Sequence, residues 1–240
     1  MIKTLFLVFL LTGAVLAQLT PVEQQSKDQE RIRNKARQGA DVECTDSIMQ
    51  NYLKALDDTT LDNNETGGTT RSDALYGFCR ICGHKNGTIV TQEILKRLLQ
   101  DKHQDVRREA AALIPGIAKT DSDSIKGIAA LRLSIHDSDV RVRLQAVTSL
   151  VRMHIIDTGD VLDTLINIAK GQATFPEKPI KGCVDCIKKT SQQLRLGAIK
   201  QLNHFKYKKA DLALQNLSND QDSLIKQAVL RLSPLQRGGK

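Results

Sequence analysis

The chain has 240 residues, 40% of them hydrophobic and 26% charged, which suits one globular unit with a buried core rather than a fibre or a membrane bundle. Aromatic residues make up only 3% and Trp is absent, so the composition argues against a bilin, haem or aromatic-cage pocket and against a stacking surface for single-stranded nucleic acid. The net charge is +8, and residues 160–240 hold 14 basic and 7 acidic residues, so the basic excess lies in the last third.

Residues 1–17 have the pattern of a secretory signal peptide. A short basic start at Lys3 precedes an apolar run over 4–16, and Ala17 ends the run with small-residue spacing. At 13 residues this run is shorter than the roughly 20 residues that span a bilayer, and no later segment approaches that length. We therefore predict cleavage after Ala17 and export to the periplasm or out of the cell.

The next segment, 18–43, is rich in Gln and charged residues and has few apolar ones. Such a composition predicts a polar linker that is disordered or loosely helical, because too little apolar surface is present to offset the entropy of ordering. A folded body then extends over 44–235, and residues 236–240 form a C-terminal tail.

A repeated pattern becomes clear from Val106 onward. In each copy an Arg lies three residues before an Ala, and apolar residues follow at helical spacing. The Arg-containing copies lie at 106–113, 142–147 and 194–199, with a fainter one at 70–75, and the Arg residues are Arg71, Arg107, Arg143 and Arg195. A further copy at 224–229 has lost the Arg.

Each copy follows a second amphipathic run, and a short polar turn joins the two. Asp105 and Asp139 occupy the turns at positions where an N-cap accepts backbone N–H bonds, so we predict that they cap the second helix of their units. Each unit then reads as helix, turn, helix. One such unit cannot bury its apolar face alone, so the units must stack.

The pattern D-x-x-V-R-x-x-A-x-x-x-L resembles HEAT repeats of the short bacterial, PBS-lyase-like kind, with Val106, Arg107, Ala110 and Leu113 matching best. The resemblance is good over 91–232, weak over 45–83, and interrupted by an insertion at 171–190. It implies an all-α fold, an α-solenoid of about five units whose second helices line one face. The units we assign are 45–83, 91–120, 124–155, 160–205 and 209–235.

Two interpretations of the repeated Arg remain. A structural one has each guanidinium bind a neighbouring turn or an adjacent Asp. A functional one makes Arg71, Arg107, Arg143 and Arg195 a basic ladder on one face. The first is the more ordinary explanation for a polar residue at the start of a helix.

Three cysteines fall in the first unit, and export favours a disulfide. Because the helices of a unit run antiparallel, Cys44 at the start of the first helix lies near Cys79 and Cys82 at the end of the second. We predict a Cys44 bridge to Cys79 or Cys82 that staples the end of the stack. The alternative is a zinc site in which His84 joins all three thiolates.

The remaining pair, Cys183 and Cys186, lies in the insertion. A small disulfide loop that stiffens the insertion is the simpler interpretation. A redox pair is the alternative, but such pairs open a helix in a thioredoxin-like βαβ context, and no such unit is evident in the sequence.

The basic excess of the last third suggests an anionic partner, or merely a solvated surface. The candidate basic residues are Lys188, Lys189, Lys206, Lys208 and Lys209. For an exported protein the anionic partner is an envelope polymer, a lipid headgroup or an acidic protein face, and nucleic acid is not expected.

No G-x-S-x-G, H-E-x-x-H or glycine-rich phosphate loop occurs, and none of the five His is followed by Glu. We therefore predict an exported, non-catalytic scaffold or adaptor that binds a protein partner and needs no cofactor. The alternatives are a binder of anionic envelope material and, less favoured, an enzyme that uses the cysteines as thiols or metal ligands.

Overall fold

The computed structural model describes residues 27, 42–60, 67–118, 120–156, 159–173 and 184–232. The chain divides into two units, Met1–Val42 and Glu43–Lys240, and the architecture below is that of the second. The predicted signal peptide, nearly all of the predicted linker and the 236–240 tail lie outside the described residues. None of the helices in the described ranges has both the length and the apolar character that crossing a bilayer requires.

The prediction of an all-α fold is confirmed: the described residues form ten helices and no strand. The helices are α1 Asp46–Asp57, α2 Gly67–Cys82, α3 Gly87–Gln100, α4 Gln104–Ile117, α5 Asp121–Ser134, α6 Val140–Arg152, α7 Gly159–Ala169, α8 Val184–Leu202, α9 Lys208–Leu217 and α10 Ser223–Leu232. Consecutive helices pack in pairs, α1 on α2 through to α9 on α10, which gives five helix–turn–helix units.

The second helices of the five units form an unbroken row. Each of α2, α4, α6 and α8 packs on the second helix of the following unit, and the first helices α3 and α5, and α7 and α9, pack on each other beside this row. Apolar side chains between the two layers are fully buried, among them Leu98, Ile114, Leu131, Leu150, Leu165 and Leu202. This packing is compatible with a solenoid.

Short polar side chains start the helices by accepting otherwise unpaired N–H groups. Asp139 accepts from the backbone N–H groups of Arg141 and Val142, as predicted for the N-cap of α6. The prediction for Asp105 is wrong, because α4 begins at Gln104 and its N-cap is His103, whose Nδ1 accepts from the N–H of Asp105. Asp105 lies instead in the first turn of α4, where its charge suits the helix dipole.

A proline in α4 is compensated from the next unit. Pro115 has no N–H, so the carbonyl of Ala111 four residues earlier lacks its helical donor. The hydroxyl of Ser149 on α6 donates to that carbonyl at 2.7 Å, and Ser149 is completely buried. The bond therefore stabilises the α4–α6 contact at the one carbonyl that the proline leaves open.

We expect Ser149→Ala to lower the free energy of unfolding by about 1–3 kcal/mol, the cost of a buried acceptor left without a donor. In a Pro115→Ala background the same change should cost much less, because the restored N–H satisfies Ala111. Urea denaturation of the four proteins of this cycle measures the difference. An equal cost in both backgrounds would contradict the explanation.

A disulfide joins the two ends of the first unit. Cys44 precedes the N-cap of α1 and Cys82 is the last residue of α2, and their sulfur atoms are bonded across 38 residues of sequence. Of the two pairings that the sequence leaves open, the structure has Cys44 with Cys82. Cys79, half-buried one turn earlier, is not part of this bond.

Tryptic mapping tests this pairing, because Arg80 separates Cys79 from Cys82. Without reduction we expect the peptide 38–54 to be linked to 81–85, whereas linkage to 72–80 would contradict the structure. For a loop of 38 residues, chain entropy predicts that Cys82→Ser lowers the free energy of unfolding by about 4 kcal/mol. Cys79→Ala, which leaves the disulfide in place, is the matched control.

Candidate functional site

The repeated arginines bind the turns of their own units. Arg71 donates from Nε and Nη2 to the carbonyl of Leu56 at 3.0 and 2.8 Å, and Arg195 donates from Nε to the carbonyl of Ala169 at 2.8 Å. These acceptors lie at the ends of first helices, where the last carbonyls have no helical donor. Each guanidinium thus fastens the end of one helix to the start of the next.

In the second and third units, the arginine binds its own turn through Nη1. Arg107 donates to the carbonyls of Asp101 and Lys102 at 2.9 and 3.0 Å. Arg143 donates to the two carbonyls at the same offsets, five and six residues before it, at 3.1 and 2.7 Å. The two guanidinium groups are therefore held in the same way by their own turns.

Three of the four arginines also reach a carboxylate in the turn of the following unit. The pairs are Arg71 with Asp101, Arg107 with Asp137, and Arg195 with Asp220. The pair at Arg107 is bidentate, with Nε and Nη2 each 2.8 Å from one oxygen of Asp137. This hydrogen bond raises the pKa of Arg107 above its ordinary value despite partial burial.

Each of these carboxylates has a second role in its turn. The Oδ1 of Asp101, Asp137 and Asp220 accepts the backbone N–H two residues later, at 2.8–2.9 Å, from His103, Asp139 and Asp222. Those three residues in turn accept N–H groups at the start of the second helix. An Asp-x-Asp or Asp-x-His turn therefore binds the previous unit with its first residue and caps its own helix with its third. At each contact between two units, we call the repeated arginine, its bonds to its own turn and its ion pair with the aspartate of the next turn the inter-unit seam.

The seam is reinforced between the first two units by Arg97 of α3. Its Nη1 donates to the carbonyl of Leu56 at 2.9 Å, and its Nη2 contacts Asp57 at 2.5 Å. The hydrogen bond from Arg97 lowers the pKa of Asp57. Burial opposes the charge of Arg97, yet its bonds to Asp57 and Glu93 leave its pKa raised. Arg97 was not predicted from the sequence, because it lies outside the repeated pattern.

Arg143 departs from the rule of the seam. Within the described residues it hydrogen-bonds only through Nη1, and no carboxylate of the described part of α7 or its turn lies against it. It lines a groove of about 460 Å³ between the third and fourth units, together with His136, Thr164, Asn167 and Gln172.

The candidate basic residues are exposed. Lys188 and Lys189 lie in α8, and Lys206, Lys208 and Lys209 lie at the turn before α9 and in its first residues. Lys209 forms an ion pair with Asp163 of α7 at 2.5 Å. Lys206, Lys208 and Lys209 therefore lie together at one turn, and Lys209 is paired with an acidic neighbour.

The candidate zinc site is not formed, because the disulfide consumes two of its four ligands, Cys44 and Cys82. Cys79 and His84 line a cavity of about 640 Å³ that also includes Asp123. Among the described residues, no group of three or more His, Cys, Asp or Glu side chains is placed to hold a metal ion. Cys183 lies outside the described residues, and only the helical backbone of Cys186 is described.

An apolar stripe is exposed on α5. Ile125, Ala129 and Leu133 lie at positions i, i+4 and i+8, and the side chains of Ile125 and Leu133 are 68% and 66% exposed. At 100° per residue, the exposed Lys126 and Arg132 flank this stripe on its two sides. We call these three apolar residues the α5 stripe.

Comparison with protein-family models, with curated proteins and with solved structures found no match for this chain. Function is therefore inferred from its own residues.

We expect Asp137→Asn to lower the free energy of unfolding by about 2 kcal/mol, because it removes the carboxylate that pairs directly with the partly buried guanidinium of Arg107. The asparagine carbonyl keeps the acceptor for the N–H of Asp139, so the variant isolates the inter-unit ion pair. Asp121→Asn, at an exposed carboxylate of α5, is the control and should change stability little. If chemical denaturation gave equal free energies of unfolding for the two variants, the seam would not stabilise the protein as described.

Proposed function

We propose that this protein is an exported, HEAT-like helical-repeat scaffold that binds a protein partner through the α5 stripe. The observation that carries the proposal is the exposure of Ile125 and Leu133 at helical spacing on one face of α5. Single exposed apolar residues are ordinary on protein surfaces, but a stripe along a helix is the pattern by which helices dock.

The stripe suits an amphipathic helix of the partner. From Ile125 to Leu133 it extends about 12 Å, two turns of helix. Because Lys126 and Arg132 flank it, the complementary surface is an apolar helix face bordered by acidic residues. The Arg107–Asp137 pair supports this role, since it fixes the turn that follows α5 against the preceding unit.

The disulfide and the leader pattern support export. A bond between Cys44 and Cys82 persists in an oxidising compartment and is rare in the cytosol. The proposed compartment is the periplasm or the exterior of the cell.

The test uses Leu133→Asp with Leu212→Asp as the matched control, since Leu212 is an exposed leucine on another first helix. Proteins recovered with the wild type from the host envelope fraction are identified by mass spectrometry, and the candidate partner is purified and titrated by calorimetry. Leu133→Asp should weaken its binding by about 10- to 100-fold, the loss of one buried leucine, at unchanged melting temperature. Leu212→Asp should leave the affinity unchanged.

Two results would overturn this proposal. Equal binding by the Leu133→Asp variant would show that the stripe is not the docking surface. A concentration-dependent dimer in light scattering that Leu133→Asp abolishes would show that a second copy of this chain covers the stripe.

A second candidate function is binding of anionic envelope material, for which the exposed cluster of Lys206 and Lys208 is the supporting observation. Raising the ionic strength to 1 M shortens the Debye length to about 3 Å, so binding through these exposed charges should be lost. Binding through the α5 stripe should persist under the same conditions. A Lys206→Ala/Lys208→Ala double variant should remove only the salt-sensitive binding.

A further inference from the structure

Among the described residues, Arg143 has a pair of donors without a partner, at a position where three related arginines bind a carboxylate. Its Nη1 makes the same two bonds to its own turn as the Nη1 of Arg107. That leaves Nε and Nη2, the two atoms with which Arg107 holds Asp137. A guanidinium held this way presents a planar fork that matches two carboxylate oxygens.

The following unit supplies no acid at the matching position. Arg71 and Arg107 each bind an Asp thirty residues later, and thirty residues after Arg143 stands Ala173. Counted from the end of the first helix, Asp137 and Asp220 are the third residue, and the third residue after α7 is Gln172. Both counts therefore lead to an uncharged residue, Ala173 or Gln172, at the position where the other units have an aspartate.

The space at this position is a polar groove. Its volume of about 460 Å³ exceeds that of one carboxylate, and the polar residues Thr164, Asn167, Gln172 and His136 line it together with Arg143. The hydroxyl and amide side chains among these residues can donate to or accept from the polar backbone around a bound acid.

We propose that the Arg143 groove binds a carboxylate of a peptide ligand, either an acidic side chain or a C-terminal carboxylate, which takes the place that Asp101, Asp137 and Asp220 occupy in the other seams. The site shares no residue with the α5 stripe, and its test does not depend on the partner proposed above.

The test follows the Nε–Hε signal of Arg143 by NMR in the full oxidised chain, assigned with Arg143→Lys. Two probes distinguish the carboxylate sources: N-acetyl-aspartic acid α-amide carries only a side-chain carboxylate, and N-acetyl-alanine only a terminal one. We expect at least one to shift the signal saturably, and inorganic phosphate to do so more weakly.

A variant that completes the seam is the sharper experiment. Ala173→Asp places a carboxylate thirty residues after Arg143, so it should weaken probe binding by at least about tenfold and raise the melting temperature. Ala173→Asn, of nearly the same size but neutral, is the matched control and should do neither. The expected result for Ala173→Asp is a gain of stability, so a loss of probe binding with a raised melting temperature cannot come from unfolding.

Three outcomes would overturn the proposal. The first is the absence of any probe-dependent shift in the wild type. The second is tighter binding of phosphate than of either carboxylate. The third is binding that appears only in Glu177→Gln or Asp185→Asn, which would show that an acid of the chain itself already occupies Arg143.

Discussion

The fold depends on how the polar backbone groups at the ends of the helices are satisfied where the units stack. Apolar burial between layers is non-directional and sets no register by itself. At each seam, however, a first helix ends in carbonyls without donors and a second helix begins with N–H groups without acceptors. An arginine such as Arg107 donates to carbonyls of its own turn, and Asp139 accepts the N–H groups at the start of the next second helix. Asp137 binds both Arg107 and the N–H of Asp139, so this ion pair links one turn to the next and sets the distance between their units.

Much of this architecture could be predicted from the sequence, because the apolar spacing of the helices and the Arg-to-Ala offset are local. The all-α fold, the pairing of helices and the cap at Asp139 followed from such local patterns. A contact between the repeated Arg and an Asp was one interpretation of the sequence, but the acids were not identified, because Asp137 lies thirty residues from Arg107 and is matched to it only by the stacking register. The misplaced cap at Asp105 has a different, local origin, because α4 begins at Gln104 and His103 takes the N-cap position.

Long-range compensation explains the other features that local patterns could not give. Pro115 reads as a helix breaker, and only the packed structure shows that Ser149 of the next unit binds the carbonyl it leaves open. The choice between Cys79 and Cys82 likewise depended on how α2 is rotated beside the start of α1. Neither the Ser149–Ala111 bond nor the Cys44–Cys82 pairing follows a spacing that could be recognised in the sequence.

In a chain built of similar units, a position where a recurring contact is missing is a candidate for a specialised role. Where every unit meets the same stacking constraint, an incomplete seam costs stability and needs a compensating gain. The neutral residues Gln172 and Ala173 stand where other turns have an aspartate, at the start of the insertion predicted over 171–190, and among the described residues Arg143 lines a groove instead of forming an ion pair. A guanidinium fork that is closed by an aspartate of the chain cannot also bind an external acid, so a complete seam and an open Arg143 exclude each other.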